Sequence, residues 1–252
     1  MSAQAKRLFI PTSSRISQFS SQFQRQRRNM TTIKLNTGAS IPAVGFGTWQ
    51  DKDDQEKAVA EALSAGYKHI DTARSKFVPC FNRISLTITV YGTEPMVGTA
   101  IKKSGIPRED LFITTKLWNN SHAPEDVEPA LDASLKDLGM DYVDLYLMHW
   151  PSAFKSGDKM FPKDKNGKAE TSSTSYVDTW KAMEKLVKTG KTRAIGISNF
   201  SRAEVEQILE EGSIVPAAHQ IENHPWLQQN EFTEWLGHKG IHVQQVGDIW
   251  LA

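Results

Sequence analysis

Cysteine is nearly absent from this chain: Cys80 is the single one among 252 residues. No intrachain disulfide can form, and a reducing compartment is the simplest setting. Long apolar runs are absent too. None approaches the roughly 20 residues that a membrane-spanning helix requires, which argues against a bilayer protein. Acidic residues are missing from the first 29 positions, where Lys6, Arg7, Arg15, Arg25, Arg27 and Arg28 carry all the charge. The remainder holds 24 basic against 29 acidic side chains, and a mildly acidic body argues against nucleic-acid binding. The leader, residues 1–30, is rich in Arg, Ser and Gln and has the composition of a mitochondrial transit peptide, expected to be disordered. The alternative is that Met30 is the true start; a cytoplasmic protein is expected, with a mitochondrial one through this leader as the other reading.

What is present is the makeup of one globular domain, with enough apolar residues for a full core. From Thr32 onward, β-rich runs alternate with helical patterns. Strands are expected at 43–46, 67–71, 111–116, 142–149, 192–197 and 217–221, with a last one starting at Ile241. Between them, Val127, Leu131, Leu135 and Leu138 fall on one helical face, with Pro124 near its start and Gly139 after its end. Val177, Trp180, Met183 and Val187 form a second such face that stops at Gly190. Ser201 and Glu204 have capping-box spacing ahead of Val205, Ile208 and Leu209.

Strict alternation implies a parallel sheet with helical crossovers, either open and doubly wound or closed as an eight-stranded barrel. The only glycine-rich stretch after the first strand, Gly45 to Gln50, lacks the third glycine of a dinucleotide fingerprint and no helix follows it at once. An α/β fold of the (β/α)₈ barrel class is therefore expected, with its chemistry at the carboxyl ends of the strands. Those ends carry Thr48 and Trp49, Asp71 and Thr72, Lys116 and Trp118, His149 and Trp150, Ser198 and Asn199, and Gln220 and Glu222. Taken singly, His149 reads equally well as a core histidine, Asp71 and Lys116 as a structural ion pair, and the tryptophans as core fillers. Six strand ends of this kind in succession are harder to assign to packing alone. A nucleophile elbow is excluded because Gly196 to Phe200 lacks its final glycine. His238 and His242 are four apart, but Gly240 between them disfavours a shared helical face, so they read as surface histidines and not as a metal pair.

The stretches GFGTW (45–49), GYKHIDTA (66–73), YGTE (91–94), TTKLW (114–118), DLYLMHWP (144–151), GKTRAIGISNF (190–200) and HQIENHP (219–225) together resemble the motifs of the aldo-keto reductase family, in that family's order. The resemblance runs from about Ile33 to Gln245. It implies a metal-free, NADP(H)-dependent reductase of small aldehydes or ketones, of sugar or polyol type, and a monomer is expected. Tyr91 would donate the proton to the carbonyl oxygen while the cofactor supplies hydride. Lys116, held by Asp71, would favour the phenolate, and His149 would orient the substrate oxygen. Ser198, Asn199 and Gln220 would hydrogen-bond the nicotinamide carboxamide, with Gly47 and Thr48 also on the cofactor. Trp49, Trp118 and Trp150 would form an apolar substrate pocket. The polar stretch 152–175 fits a mobile loop over the site.

The chain departs from the family pattern at two places. About two residues separate DTA from YG in the family, whereas Arg74 to Val90 intervene here, and Ser75 to Thr89 has no counterpart. Codons for Ser-Lys-Phe can contain a splice-donor sequence, so a translated intron is expected, the alternative being a loop insertion on the catalytic face. Past Gln245 the family continues through a further strand and a 2′-phosphate site, while this chain ends at Ala252. Residues 31–252 then read as an incomplete barrel of about six and a half strands. A product that serves only as a binding or regulatory protein is the competing functional reading.

Overall fold

The computed structural model describes residues 31–49, 54–74 and 92–247. The leader, most of the stretch from Arg74 to Val90, Tyr91 and the last five residues lie outside the described residues.

Two short strands, β1 (Thr32–Lys34) and β2 (Ser40–Pro42), pair antiparallel as a hairpin. Seven parallel strands follow in one sheet in sequence order: β3 (Gly45–Gly47), β4 (His69–Asp71), β5 (Phe112–Leu117), β6 (Leu145–Met148), β7 (Ile195–Ser198), β8 (Ala218–Glu222) and β9 (His242–Val246). The crossovers carry α1 (Gln55–Ala65), α2 (Glu94–Ser104), α3 (Pro124–Leu138), α4 (Tyr176–Thr189), α5 (Arg202–Glu211) and α6 (Asn230–His238). This is the curled βα succession of a (β/α)₈ barrel, with seven of its parallel strands among the described residues.

Side-chain alternation along the strands sorts the core into two layers. On β5 and β6, Ile113, Leu117, Tyr146 and Met148 face outward and meet Val97, Leu131, Leu135, Trp180 and Met183 of the helices. Phe112, Leu145 and Leu147 face inward, where Leu35 and Ile41 of the hairpin close the amino-terminal mouth. The hairpin is further tied down by Asn36, whose Nδ2 donates to the carbonyl of Pro216 at 3.0 Å. Sequence periodicity did not foresee the hairpin, because three-residue strands show no usable alternation.

The helices form where punctuation and stripe agree. In α3, Val127, Leu131, Leu135 and Leu138 are all buried, and Gly139 ends the helix in the left-handed region at φ 65°. Gly190 ends α4 in the same way at φ 78°, and Ser201 with Glu204 forms the expected capping box of α5. Gly98 lets α2 lie directly on α3, since a Cβ there would overlap the Leu138 carbonyl.

At the amino-terminal mouth, Asp144 precedes β6 and is buried. It accepts hydrogen bonds from Arg108 Nη2 at 2.7 Å, Arg193 Nη1 at 3.2 Å and the Ile113 amide at 2.9 Å. The Tyr142 ring lies between the two guanidinium groups, 4.1 and 4.0 Å from their carbons. This cluster draws Tyr142 to Asp144 out of the sixth strand, which begins at Leu145 instead of the expected Tyr142. The last strand was expected to be cut short, yet it runs five residues and pairs with β8 along its length. His242 lies on that strand and is half-buried, which corrects its reading as a surface histidine, while His238 is exposed at the end of α6. Among the described residues, no helix is long and apolar enough to cross a membrane.

Candidate active site

The carboxyl ends of the strands converge on one polar cluster. Lys116 on β5 points inward, and its Nζ donates to Asp71 Oδ1 at 2.7 Å and to the Thr72 carbonyl at 3.1 Å. The lysine side chain is 1% exposed and the aspartate 12%, so the pair is shielded from bulk water. Asp71 uses its other oxygen to accept from Gln220 Nε2 at 2.8 Å. One carboxylate at the end of β4 therefore joins β5 to β8 across the mouth. Gln220, expected on the cofactor, thus has its amide nitrogen committed to Asp71, which leaves its Oε1 for a ligand.

Next to this chain lies His149, which follows β6 and is buried. Its imidazole is held well below the ordinary histidine range by burial and then by the Lys116 charge, so it is neutral at physiological pH. The Trp118 ring packs edge-on against it at 5.0 Å, and Trp150 stacks beside it at 6.4 Å. Asn199 follows β7 in the left-handed region at φ 63°, a conformation asparagine tolerates better than most residues. Its Nδ2 donates to the His149 carbonyl at 2.9 Å and to Ser198 Oγ at 3.1 Å, and its amide donates to the Gln220 carbonyl at 3.0 Å.

On the Gln220 and His149 side of the cluster opens a cavity of about 450 Å³, lined by Trp49, Trp118, His149, Trp150, Ser198, Asn199, Gln220, Ile221, Glu222, His224, Val246 and Gly247. All three expected tryptophans line it, but only Trp118 is buried; Trp49 and Trp150 are 50% and 44% exposed. Thr48 is buried at the end of β3, with its Oγ1 3.2 Å from Thr93 Oγ1. Gly47 has open space where a Cβ would stand, so this backbone is accessible to a ligand. Tyr91 lies outside the described residues.

Sequence reasoning missed how the loop after β6 is held. Trp118 Nε1 donates to the Met160 carbonyl at 2.9 Å, and Asn120 Nδ2 to the Gly157 carbonyl at 2.7 Å. Phe161 packs edge-on against Trp118 at 5.3 Å. Stretch 152–175 also carries two antiparallel bridges of its own, Phe154 with Thr171 and Lys163 with Ala169. The signal that could have found this is the loop's aromatic and apolar content, Phe154, Met160 and Phe161, in an otherwise polar run.

A curled parallel βα sheet that gathers a lysine–aspartate pair, a neutral histidine and an amide set at its strand ends has the build of a (β/α)₈-type barrel with its polar site on the carboxyl side. The sequence model of the Aldo/keto reductase family matches residues 43–247, and the chain belongs to that family. It is 48% identical over 213 residues to aldo-keto reductase family 1 member A1 of Xenopus tropicalis, covering 82% of this chain and 61% of that protein. It is 46% identical over 220 residues to the D/L-glyceraldehyde reductase of Hypocrea jecorina, covering 84% of this chain and 62% of that one. Among solved structures, the aldose reductase of Schistosoma japonicum matches with a TM-score of 0.77 at 38% identity, over 86% of this chain and 68% of the other. The chain thus spans a little over three-fifths of the length of these curated relatives.

Proposed function

We infer that this chain carries the catalytic half of an NADP(H)-dependent reductase of small aldehydes and ketones, of the sugar or polyol type. The observation that supports this most directly is the buried Lys116–Asp71–Gln220 chain, whose Gln220 end lines a tryptophan-walled cavity together with the neutral His149. A structural ion pair alone would not require an adjoining cavity or a neutral imidazole.

The polar groups fit a nicotinamide carboxamide. Ser198 Oγ already accepts from Asn199, so its proton is available for the carboxamide oxygen. Asn199 Oδ1 and Gln220 Oε1 remain as acceptors for the carboxamide NH₂, because their nitrogens are committed elsewhere. When bound, the cofactor would supply hydride to the carbonyl carbon. Tyr91 would hand a proton to the carbonyl oxygen; a tyrosine's ordinary pKa of about 10 calls for a cation nearby, and Lys116 would serve as that cation. Asp71 holds the ammonium in place. His149 would donate a hydrogen bond to the substrate oxygen and orient it. Trp49, Trp118 and Trp150 would enclose the substrate's apolar part, while Gly47 and Thr48 would border the cofactor. The lone cysteine agrees with a cytoplasmic setting.

The test follows NADPH oxidation by the purified chain with D,L-glyceraldehyde and with an aromatic aldehyde, beside Tyr91→Phe. Turnover lost in Tyr91→Phe with NADPH binding retained supports the assignment. Wild-type turnover in Tyr91→Phe sinks it, and NADPH binding with no turnover in the parent chain favours the binding-protein reading.

A further inference from the structure

Two residues at the start of α2 depart from the ordinary behaviour of a helix amino terminus. Thr93 is the N-cap residue, yet its side chain makes no capping hydrogen bond, the role threonine commonly fills there. Its hydroxyl lies instead 3.2 Å from Thr48 Oγ1 and 3.4 Å from Thr72 Oγ1, at the ends of β3 and β4. Glu94, the first helical residue, would normally be solvated. It is 1% exposed, and its Oε1 accepts from Thr115 Oγ1 at 2.6 Å. Thr115 faces outward on β5 and is the immediate neighbour of the inward-facing Lys116. Ser134 and Tyr146 lie near enough to act on the Glu94 carboxyl, Ser134 through a hydrogen bond, but Glu94 Oε2 and the two hydroxyls are at best weakly satisfied among the described residues. Burying a carboxylate and two hydroxyls so sparsely satisfied is costly, which sets this cluster apart from ordinary core packing.

We propose that Thr93 and Glu94 form a clamp that fastens the backbone following Tyr91 to the ends of β3, β4 and β5, making Glu94 a positioning residue for the proton donor. The inference rests on the reductase reading for its kinetic consequence, but the clamp itself does not. Tyr91 lies three residues before Glu94, and Lys116 lies one residue after the clamp's anchor on β5. A shift of α2 along its axis would therefore change the span between the two groups that share the proton.

Thr115→Val keeps the strand residue's shape and removes the hydroxyl that Glu94 accepts from. Glu94→Gln keeps an Oε1 acceptor for Thr115 and turns its NH₂ toward the Ser134 and Tyr146 oxygens. Amide hydrogen exchange at Met96 and Val97, whose amides donate to the Thr93 carbonyl, reads the clamp without any turnover. In Thr115→Val the exchange of these amides should rise at least tenfold while α3 and α4 stay protected. kcat should fall at least tenfold with KM for NADPH within twofold, and Glu94→Gln should stay within threefold of the parent on both readouts. Parent-like exchange in Thr115→Val overturns the proposal, as does loosening shared equally by α3 and α4, or a Glu94→Gln as impaired as Thr115→Val. If the parent shows no turnover, the reductase reading fails, and the exchange result alone decides for or against the clamp.

Discussion

Two buried carboxylates stand at opposite mouths of the same sheet, and they are held by different chemistry. Asp144, at the amino-terminal mouth, is surrounded by two guanidinium groups and a backbone amide, with Tyr142 between the arginines. Asp71, at the carboxyl-terminal mouth, meets one ammonium and the side-chain amide of Gln220, which lines a cavity. Guanidinium groups do not give up their proton at any working pH, so the Asp144 cluster can only fasten elements together. A lysine is a compact charge that can tune a neighbouring hydroxyl. One mouth is therefore built for stability and the other for proton chemistry, even though both use an aspartate beside a base.

The sharpest way to break this contrast is to remove each cation in turn. Lys116→Met should lower aldehyde reduction about 10³-fold, within the usual range for assistance to acid–base chemistry. A turnover within tenfold of the parent would place Asp71 and Lys116 in the same structural class as Asp144. Asp144→Ala should do the reverse. It leaves two arginines facing a buried site and should cost about 3–5 kcal/mol in urea unfolding, with kcat unchanged at temperatures where the variant is folded. A loss of kcat as large as that of Lys116→Met would erase the distinction.

Smaller effects come from groups whose charged form the fold itself opposes. Burial raises Glu94 from 4.5 to about 7, the Thr115 and Ser134 hydrogen bonds only partly offsetting it. A carboxyl raised in this way contributes stability that is complete below pH 4.5 and lost as pH rises through 7. Glu94→Gln loses nothing over that window, so it should exceed the parent by up to about 3 kcal/mol at pH 8 and by nothing at pH 4. Equal stability of the two at pH 8 would refute the buried, strained carboxylate. His122 shows the opposite sign: burial lowers it from 6.5 to about 4. The unfolded chain then binds the proton first, and stability present above pH 6.5 falls as pH drops toward 4. His122→Phe should flatten that acid limb by about 1.4 kcal/mol per pH unit, read from chemical denaturation between pH 6.5 and 4.5. His69 and His219, also lowered to about 4 by burial, should keep part of the slope. The smallest effect belongs to Trp226, which is 80% exposed; Trp226→Ser should stay within about 0.5 kcal/mol of the parent.

Where sequence and structure agree, a local rule carried the information. The stripe Val127, Leu131, Leu135 and Leu138 is buried because helical spacing puts these residues on one face, and Gly139 stops the helix because it alone accepts the left-handed turn cheaply. The strand-end residues Asp71, Lys116, His149, Ser198, Asn199 and Gln220 gather because parallel strands bring all their carboxyl ends to one side. What could not be read depends on partners far along the chain. Glu94 beside Pro95 looks like an ordinary first-turn acid, and only its contact with Thr115 reveals it as buried. Gln220 gives no sign that its nitrogen goes to Asp71 and not to a ligand. His219 resembles a second polar site residue, but its Nε2 accepts the Phe200 amide and so supports the turn after β7.

Twenty-two residues separate Asp71 at the end of β4 from Glu94 at the start of α2, yet β4 and β5 keep a continuous register from His69 opposite Phe112 to Asp71 opposite Thr114. Closing a longer flexible connection adds an entropy that grows only with the logarithm of its length, about 1.5 kcal/mol for a fivefold longer one. A one-residue slip between β4 and β5 would instead turn every inward side chain of a strand outward. In this architecture, added residues at a βα junction are therefore a mild perturbation and a shift within a strand a severe one. The junctions, all gathered on the catalytic side, are where sequence length can drift while the scaffold stays unchanged.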